Sequence, residues 1–157
     1  MINNLGNLIK YLKEKKWHIS FAESLTGGLC ASSLVAISGA SNVLNEAFVT
    51  YSNESKIKYL GVNENTINKY SVFSKEVAYE MAQGLHNITK AQICISTTGI
   101  AGPNPEGDLP AGYVCFGIYF NGEIKTYEKT FVNLSRNEVR EKAKDYIFGE
   151  LYKLLWA

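Results

Sequence analysis

Residues 21–28 read FAESLTGG. The apolar run over 18–23 arrives at an acid, a serine and a threonine, and it breaks on Gly27 and Gly28. From Leu29 the apolar residues resume at helical rather than alternating spacing. The stretch predicts a strand over 18–23, a tight glycine turn, and a helix from Leu29 to Ile37 that SGAS at 38–41 closes. A strand turning directly into a helix is the building unit of α/β folds, so the flanking chain is read for further units of that kind.

Upstream, Leu5, Leu8, Ile9 and Leu12 recur at helical spacing, and the basic KEKK that follows reads as the solvated end of a first helix. Downstream, EAFVTY at 46–51 predicts a second strand ending at SNES, with Asn53 as the cap of the next helix. Two short helical stretches lead to Ser74, which opens a longer helix with Val77, Ala78, Met81, Ala82 and Leu85 on one face. QICIST at 92–97 predicts a third strand. YVCFGIYF and EIKTYEKTFV flank Asn121-Gly122, a strong signal for a tight antiparallel hairpin. Ser135 and Glu138 form a capping box for a last helix whose apolar stripe runs through Val139, Ala143, Ile147, Leu151 and Leu154. Alternating strands and helices with one hairpin imply a mixed sheet covered by helices on both faces, in one domain over 1–157.

Composition narrows the function classes. With 157 residues, 46% hydrophobic content and a net charge of +1, the chain can bury a core without disulfides. It carries no broad field for nucleic acid or an anionic membrane. Cys30, Cys94 and Cys115 stand far apart among apolar residues, which reads as buried thiols in a reducing cytoplasm. His18 and His86 are isolated, so neither a histidine triad nor a metal site is expected. The polar N-terminus gives no signal peptide, and no window approaches a membrane span.

Ligands of open α/β sheets gather beyond the carboxyl ends of parallel strands. In Ser24-Leu25-Thr26-Gly27-Gly28, the glycines allow close approach and leave helix N-terminal amides for an anion or an oxyanion; a plain strand-to-helix turn explains the same residues. In Tyr51-Ser52-Asn53-Glu54-Ser55-Lys56, capping by Asn53 places Lys56 on the third helical residue, where the helix dipole opposes a cation and lowers its pKa. Such a lysine can serve as a general base, and an ordinary solvated lysine is the competing reading. Thr97-Thr98-Gly99-Ile100-Ala101-Gly102-Pro103 opens a loop from Gly99 to Gly112 that holds all three prolines, with Glu106 and Asp108 read as solvent-facing. Arg136 and Arg140 sit one turn apart at the start of the last helix, poised either for a phosphate or for pairing with Glu138 or Glu141.

Taken in order, AESLTGG at 22–28, SGAS at 38–41, FVTYSNESK at 48–56, TGIAGP at 98–103 and Arg136 with Arg140 resemble the CinA C-terminal-domain family, the nicotinamide mononucleotide deamidases. The likeness covers nearly the whole chain and suggests a stand-alone version without the N-terminal domain of some members. It implies a three-layer α/β/α sandwich with a five-stranded mixed sheet, a cytoplasmic homo-oligomer without metal or cofactor, and hydrolysis of the substrate carboxamide to nicotinate mononucleotide and ammonia. Ser24 would be the nucleophile and Lys56 its base, with Tyr51, Ser52 and Thr98 as polar partners. Amides around Thr26, Gly27 and Gly28, or those at Thr98 and Gly99, would hold the oxyanion. Ala101 and Gly102 would border the substrate, and Arg136 and Arg140 would anchor its phosphate. Two departures stand out. Leu109 replaces a lysine that many members place before Pro-x-Gly, and NPEGD at 104–108 replaces a run of glycines. A catalytically silent nucleotide-binding or protein-interaction module, or a hydrolase of another phosphorylated amide, are the competing functions.

Overall fold

Two parallel strands at the centre of the sheet deliver the residues of interest to one end of the molecule. The computed structural model describes residues 4–156. Helix α1 (Leu5–Lys15) leads into strand β1 (Ile19–Glu23), helix α2 (Leu29–Val35), a single 3-10 turn at Ala40–Asn42 and strand β2 (Phe48–Val49). Helices α3 (Asn53–Leu60), α4 (Glu64–Tyr70) and α5 (Lys75–Thr89) precede strands β3 (Ile93–Gly99), β4 (Tyr113–Phe120) and β5 (Glu123–Thr130), and α6 (Arg136–Leu155) completes the chain.

The strands form one sheet in the order β2-β1-β3-β4-β5. β1 runs parallel to β2 and β3, whereas β3, β4 and β5 are successively antiparallel. Asn121 and Gly122 both take positive φ at the hairpin tip, as the tight turn requires. The pleat then separates two cores. Ile19 and Phe21 of β1 and Ile93 and Ile95 of β3 face Leu8, Leu12, Leu34, Val139, Ile147 and Leu151 of α1, α2 and α6. Ala22 and Cys94, from the opposite face, meet Leu60, Val77, Met81 and Leu85 of α3 and α5. The result is a three-layer α/β/α sandwich on a five-stranded mixed sheet. Against this framework Trp156 packs edge-on to Tyr11 of α1, with ring centroids 4.4 Å apart.

Several boundaries differ from the sequence reading. β2 covers only Phe48–Val49 rather than 46–51, because an edge strand needs one partner and β1 offers pairing only at Ala22 and Glu23. α2 stops at Val35, before Ile37. β3 runs on to Gly99, and its last residues pair with β4 at Thr98–Cys115 and Gly99–Val114. Among the described residues no helix is long and apolar enough to cross a membrane.

Candidate active site

Ser24 leaves the carboxyl end of β1 directly into a turn that Gly27 N closes by donating to Ser24 O at 3.0 Å. Thr97 of the neighbouring strand fixes both sides of that turn. Its hydroxyl accepts from Ser24 N at 3.2 Å and shares a 2.9 Å hydrogen bond with the Thr26 hydroxyl. Gly27 and Gly28 follow with φ of 56° and 98°, the left-handed region in which a side chain is strained. Ser24, only 7% exposed, is thereby presented at the strand end with its backbone immobilised.

Lys56 arrives from the next strand-to-helix junction. Ser52, not Asn53, caps α3, its hydroxyl accepting from Ser55 N at 3.1 Å, so Lys56 is the fourth helical residue rather than the third. The one-residue shift puts Lys56 on the inner face. Helical side chains lean towards the N-terminus, so this one reaches back over Thr50 and Tyr51 to the end of the sheet. Its Nζ lies 3.0 Å from Ser24 Oγ, 2.8 Å from Thr50 O and 3.3 Å from Tyr51 O. The residue is 1% exposed, no carboxylate among the described residues forms an ion pair with it, and burial lowers its pKa from 10.5 to about 8.

The protonation chemistry follows from that contact set. Two of the three partners are carbonyl oxygens, which can only accept, and the third is a hydroxyl, which can also donate. A charged ammonium donates to all three. A neutral amine keeps its two donors on the carbonyls and turns its lone pair to the Ser24 hydroxyl, which is the arrangement of a general base facing a nucleophile.

A cleft of about 340 Å³ opens over this pair. Ser24, Leu25, Tyr51, Asn53 and Lys56 line one side; Val72, Phe73, the 99–104 segment, Glu106 and Arg136 line the rest. Its size lies at the lower end of the range for small-molecule sites. Arg136 donates to Gly102 O and, at 3.0 Å, to the exposed Tyr51 hydroxyl, and so links α6, the long loop and the segment before α3. The amides of Leu25, Ala101 and Gly102 donate to no other described residue.

Other expected site residues are placed differently. The Thr98 hydroxyl points to the α5 side of the sheet and donates to Val72 O at 2.9 Å, because successive strand residues face opposite layers; Thr97 takes the position beside Ser24. Thr26, Gly27, Gly28 and Ser52 do not line the cleft. Anion binding at the start of α2 is also precluded there, since the buried Glu23 carboxylate accepts from Cys30 N at 2.8 Å and Ala31 N at 3.1 Å. Nor does Arg140 line the cleft. It donates to Leu25 O at 2.8 Å, Thr26 O at 3.1 Å and Asn137 Oδ1 at 3.1 Å, bracing the nucleophile turn from behind. The two arginines pair with neither Glu138 nor Glu141: Glu138 completes the capping box with Ser135 N at 2.7 Å, and Glu141 pairs with Lys144. Sequence placed Thr97 at a candidate strand end without a role of its own, and assigned no role to Glu23 or Phe73. A buried acid one residue before a turn serine was the available signal for Glu23, and the even-odd pleat of β3 was the signal for Thr97.

The CinA C-terminal domain model matches residues 4–155, all but the extreme ends of the chain. The chain belongs to the CinA C-terminal domain family. Among its relatives, one from Alkaliphilus oremlandii named for competence-damage inducibility is 49% identical over 138 residues, 87% of this chain and 33% of that protein. A CinA-like protein from Petrotoga mobilis is 40% identical over 149 residues, 94% of this chain and 37% of that protein. The chain thus spans about a third of the length of these relatives. A solved CinA superfamily protein from Escherichia coli superposes with a TM-score of 0.92 at 31% identity, over 96% of this chain and 87% of that one. The five-stranded mixed sheet is thus consistent with the fold of these CinA neighbours.

Proposed function

We propose that this CinA domain is an amidohydrolase that converts nicotinamide mononucleotide to nicotinate mononucleotide and ammonia by acyl transfer through Ser24. The observation that carries the reading is the 3.0 Å approach of a buried lysine, with its pKa lowered to about 8, to a serine at a strand end beneath a cleft. A lysine held only by carbonyls and a serine has little structural purpose, because burying it costs stability at neutral pH. Its lone pair gives that cost a use.

In the proposed reaction, neutral Lys56 takes the Ser24 proton as Oγ attacks the carboxamide carbon. The resulting oxyanion would be met by amides on the cleft wall, among them Leu25 next to the nucleophile and Ala101 and Gly102 opposite, which are free of other acceptors. Protonated Lys56 returns its proton to the departing nitrogen, ammonia leaves, and water then attacks the Ser24 ester with Lys56 again as base. The half-exposed Phe73 and the ring of Tyr51 flank the cleft and offer apolar surface to a pyridine ring. Arg136, the one arginine in the lining, would hold the phosphate and fix the reacting geometry. Arg140 and Thr97 act one step removed, on the backbone that carries Ser24.

The decisive assay is ammonia release from nicotinamide mononucleotide with stoichiometric appearance of nicotinate mononucleotide. Turnover of the mononucleotide in preference to nicotinamide riboside and free nicotinamide is expected. Absence of ammonia from the mononucleotide would overturn the assignment.

A further inference from the structure

Within the cleft, charge is distributed unevenly. Of its lining residues, Lys56 and Arg136 are basic and Glu106 is the only acid. Glu106 belongs to the NPEGD segment, at the point where the loop folds back on itself. Glu106 N donates to Leu109 O and Leu109 N donates to Glu106 O, both at 3.0 Å, and Gly107 supplies the turn with φ of 57°. The two residues form an antiparallel bridge, so their side chains leave the loop on the same face. Leu109 is half-buried, which identifies that face as the one turned to the protein; Glu106 and Asp108 are both exposed, but only Glu106 lines the cleft. No cation forms an ion pair with Glu106 among the described residues.

We propose that Glu106 is a specificity-determining residue that recognises positive charge on the substrate ring and disfavours the carboxylate product. The proposal rests on the amidohydrolase reading for its substrate and deepens it. A pyridinium mononucleotide brings an anionic phosphate, for which Arg136 is available, and a cationic ring, for which the lining provides one carboxylate. Hydrolysis exchanges a neutral carboxamide for a carboxylate in the same enclosure. The product ring keeps its positive charge, but its new carboxylate offsets the attraction of the acid, so the product is held less tightly than the substrate. Because Glu106 is exposed, the effect is modest and salt-dependent: across the width of such a cleft, a single solvated charge changes affinity by about three- to tenfold.

Dissociation constants for nicotinamide mononucleotide, its reduced form with a neutral dihydropyridine ring, and nicotinate mononucleotide test this on the wild type, Glu106→Gln and Asp108→Asn. Glu106→Gln should weaken the cationic substrate about three- to tenfold, leave the neutral-ring form within about twofold, and change the product, whose ring charge is offset by its own carboxylate, less than the substrate, with differences that shrink as salt is raised. Asp108→Asn, altering the exposed acid at the same turn, should leave the ratio of cationic to neutral affinity unchanged. An unchanged ratio in Glu106→Gln overturns the proposal, as does an equal change in Asp108→Asn. If the wild type releases ammonia while the ratio fails to move, only Glu106 is reassigned. A ratio that moves in a protein releasing no ammonia keeps charge recognition and removes the amidase reading. Failure to bind either mononucleotide removes both.

Discussion

Raising the pH from 7 to 9 should increase kcat/KM for nicotinamide mononucleotide about tenfold, because Lys56 acts as base only when neutral. With its pKa lowered to about 8 by burial, about one Lys56 in eleven is neutral at pH 7 and about ten in eleven at pH 9. Initial rates of ammonia release across pH 6–10, in buffers of matched ionic strength, give the profile. Its acid limb should have a midpoint near 8 and a slope of one proton. Lys56→Arg retains the charge but cannot titrate in this range, and it should lose turnover at every pH. The same titration appears in stability. The folded pKa lies below the unfolded value of 10.5, so the unfolded chain binds more protons between the two, and folding stability rises with pH over about 8 to 10.5. The full gain is about 3 kcal/mol; it should be missing from Lys56→Met, which has no proton to lose, and so appear in the difference between wild type and that variant. A rate profile flat from pH 7 to 9, or an acid limb that survives in Lys56→Met, would refute the role of Lys56 as base.

Removing phosphate contact and removing the brace should separate the two arginines: Arg136→Ala raises KM for the mononucleotide far more than for nicotinamide riboside, whereas Arg140→Ala lowers kcat/KM for both to a similar extent. Thr97→Val, which strips Ser24 N of its acceptor, should cost about 1–3 kcal/mol in denaturant unfolding and reduce kcat. Thr98→Val, whose hydroxyl serves Val72 O on the other layer, should cost about 1 kcal/mol and retain most turnover. Gly84→Ala should be among the most destabilising single changes, because a Cβ there would stand 1.7 Å from Leu60 O and drive α5 off α3, lowering the melting temperature without a specific effect on KM.

The fold was largely legible because its signals were local and mutually consistent. The Asn121-Gly122 hairpin, the Ser135–Glu138 capping box and the helical stripes of α1, α5 and α6 each depend on neighbours within a few residues, and each appears as read. β2 was overread because the length of an edge strand is set by its partner, not by its own apolar residues. The first helical residue of α3 was misplaced by one because Ser52 and Asn53 are both good caps, and only tertiary packing chooses which hydroxyl or amide turns inward. In the site, the pairing of Ser24 with Lys56 was legible because both follow strand ends of parallel neighbours, where α/β topology gathers chemistry. Which threonine served Ser24 depended on the phase of the β3 pleat, and Ser96, Thr97 and Thr98 are polar in succession, with no alternation to mark that phase. Arg136 and Arg140 looked equivalent on the helix, yet they diverge because one overlies the cleft and the other overlies two backbone carbonyls. Glu23 escaped notice because a buried carboxylate that caps a helix through space leaves no periodic signature.

The central claim is that Ser24 carries the acyl group while Lys56 moves its proton. Rapid quenching of the enzyme with nicotinamide mononucleotide, followed by mass analysis of the Ser24 peptide, tests it most directly. The expected result is a transient nicotinoyl-nucleotide ester on Ser24 in the wild type, and neither adduct nor ammonia in Ser24→Ala. Wild-type ammonia release by Ser24→Ala would contradict it.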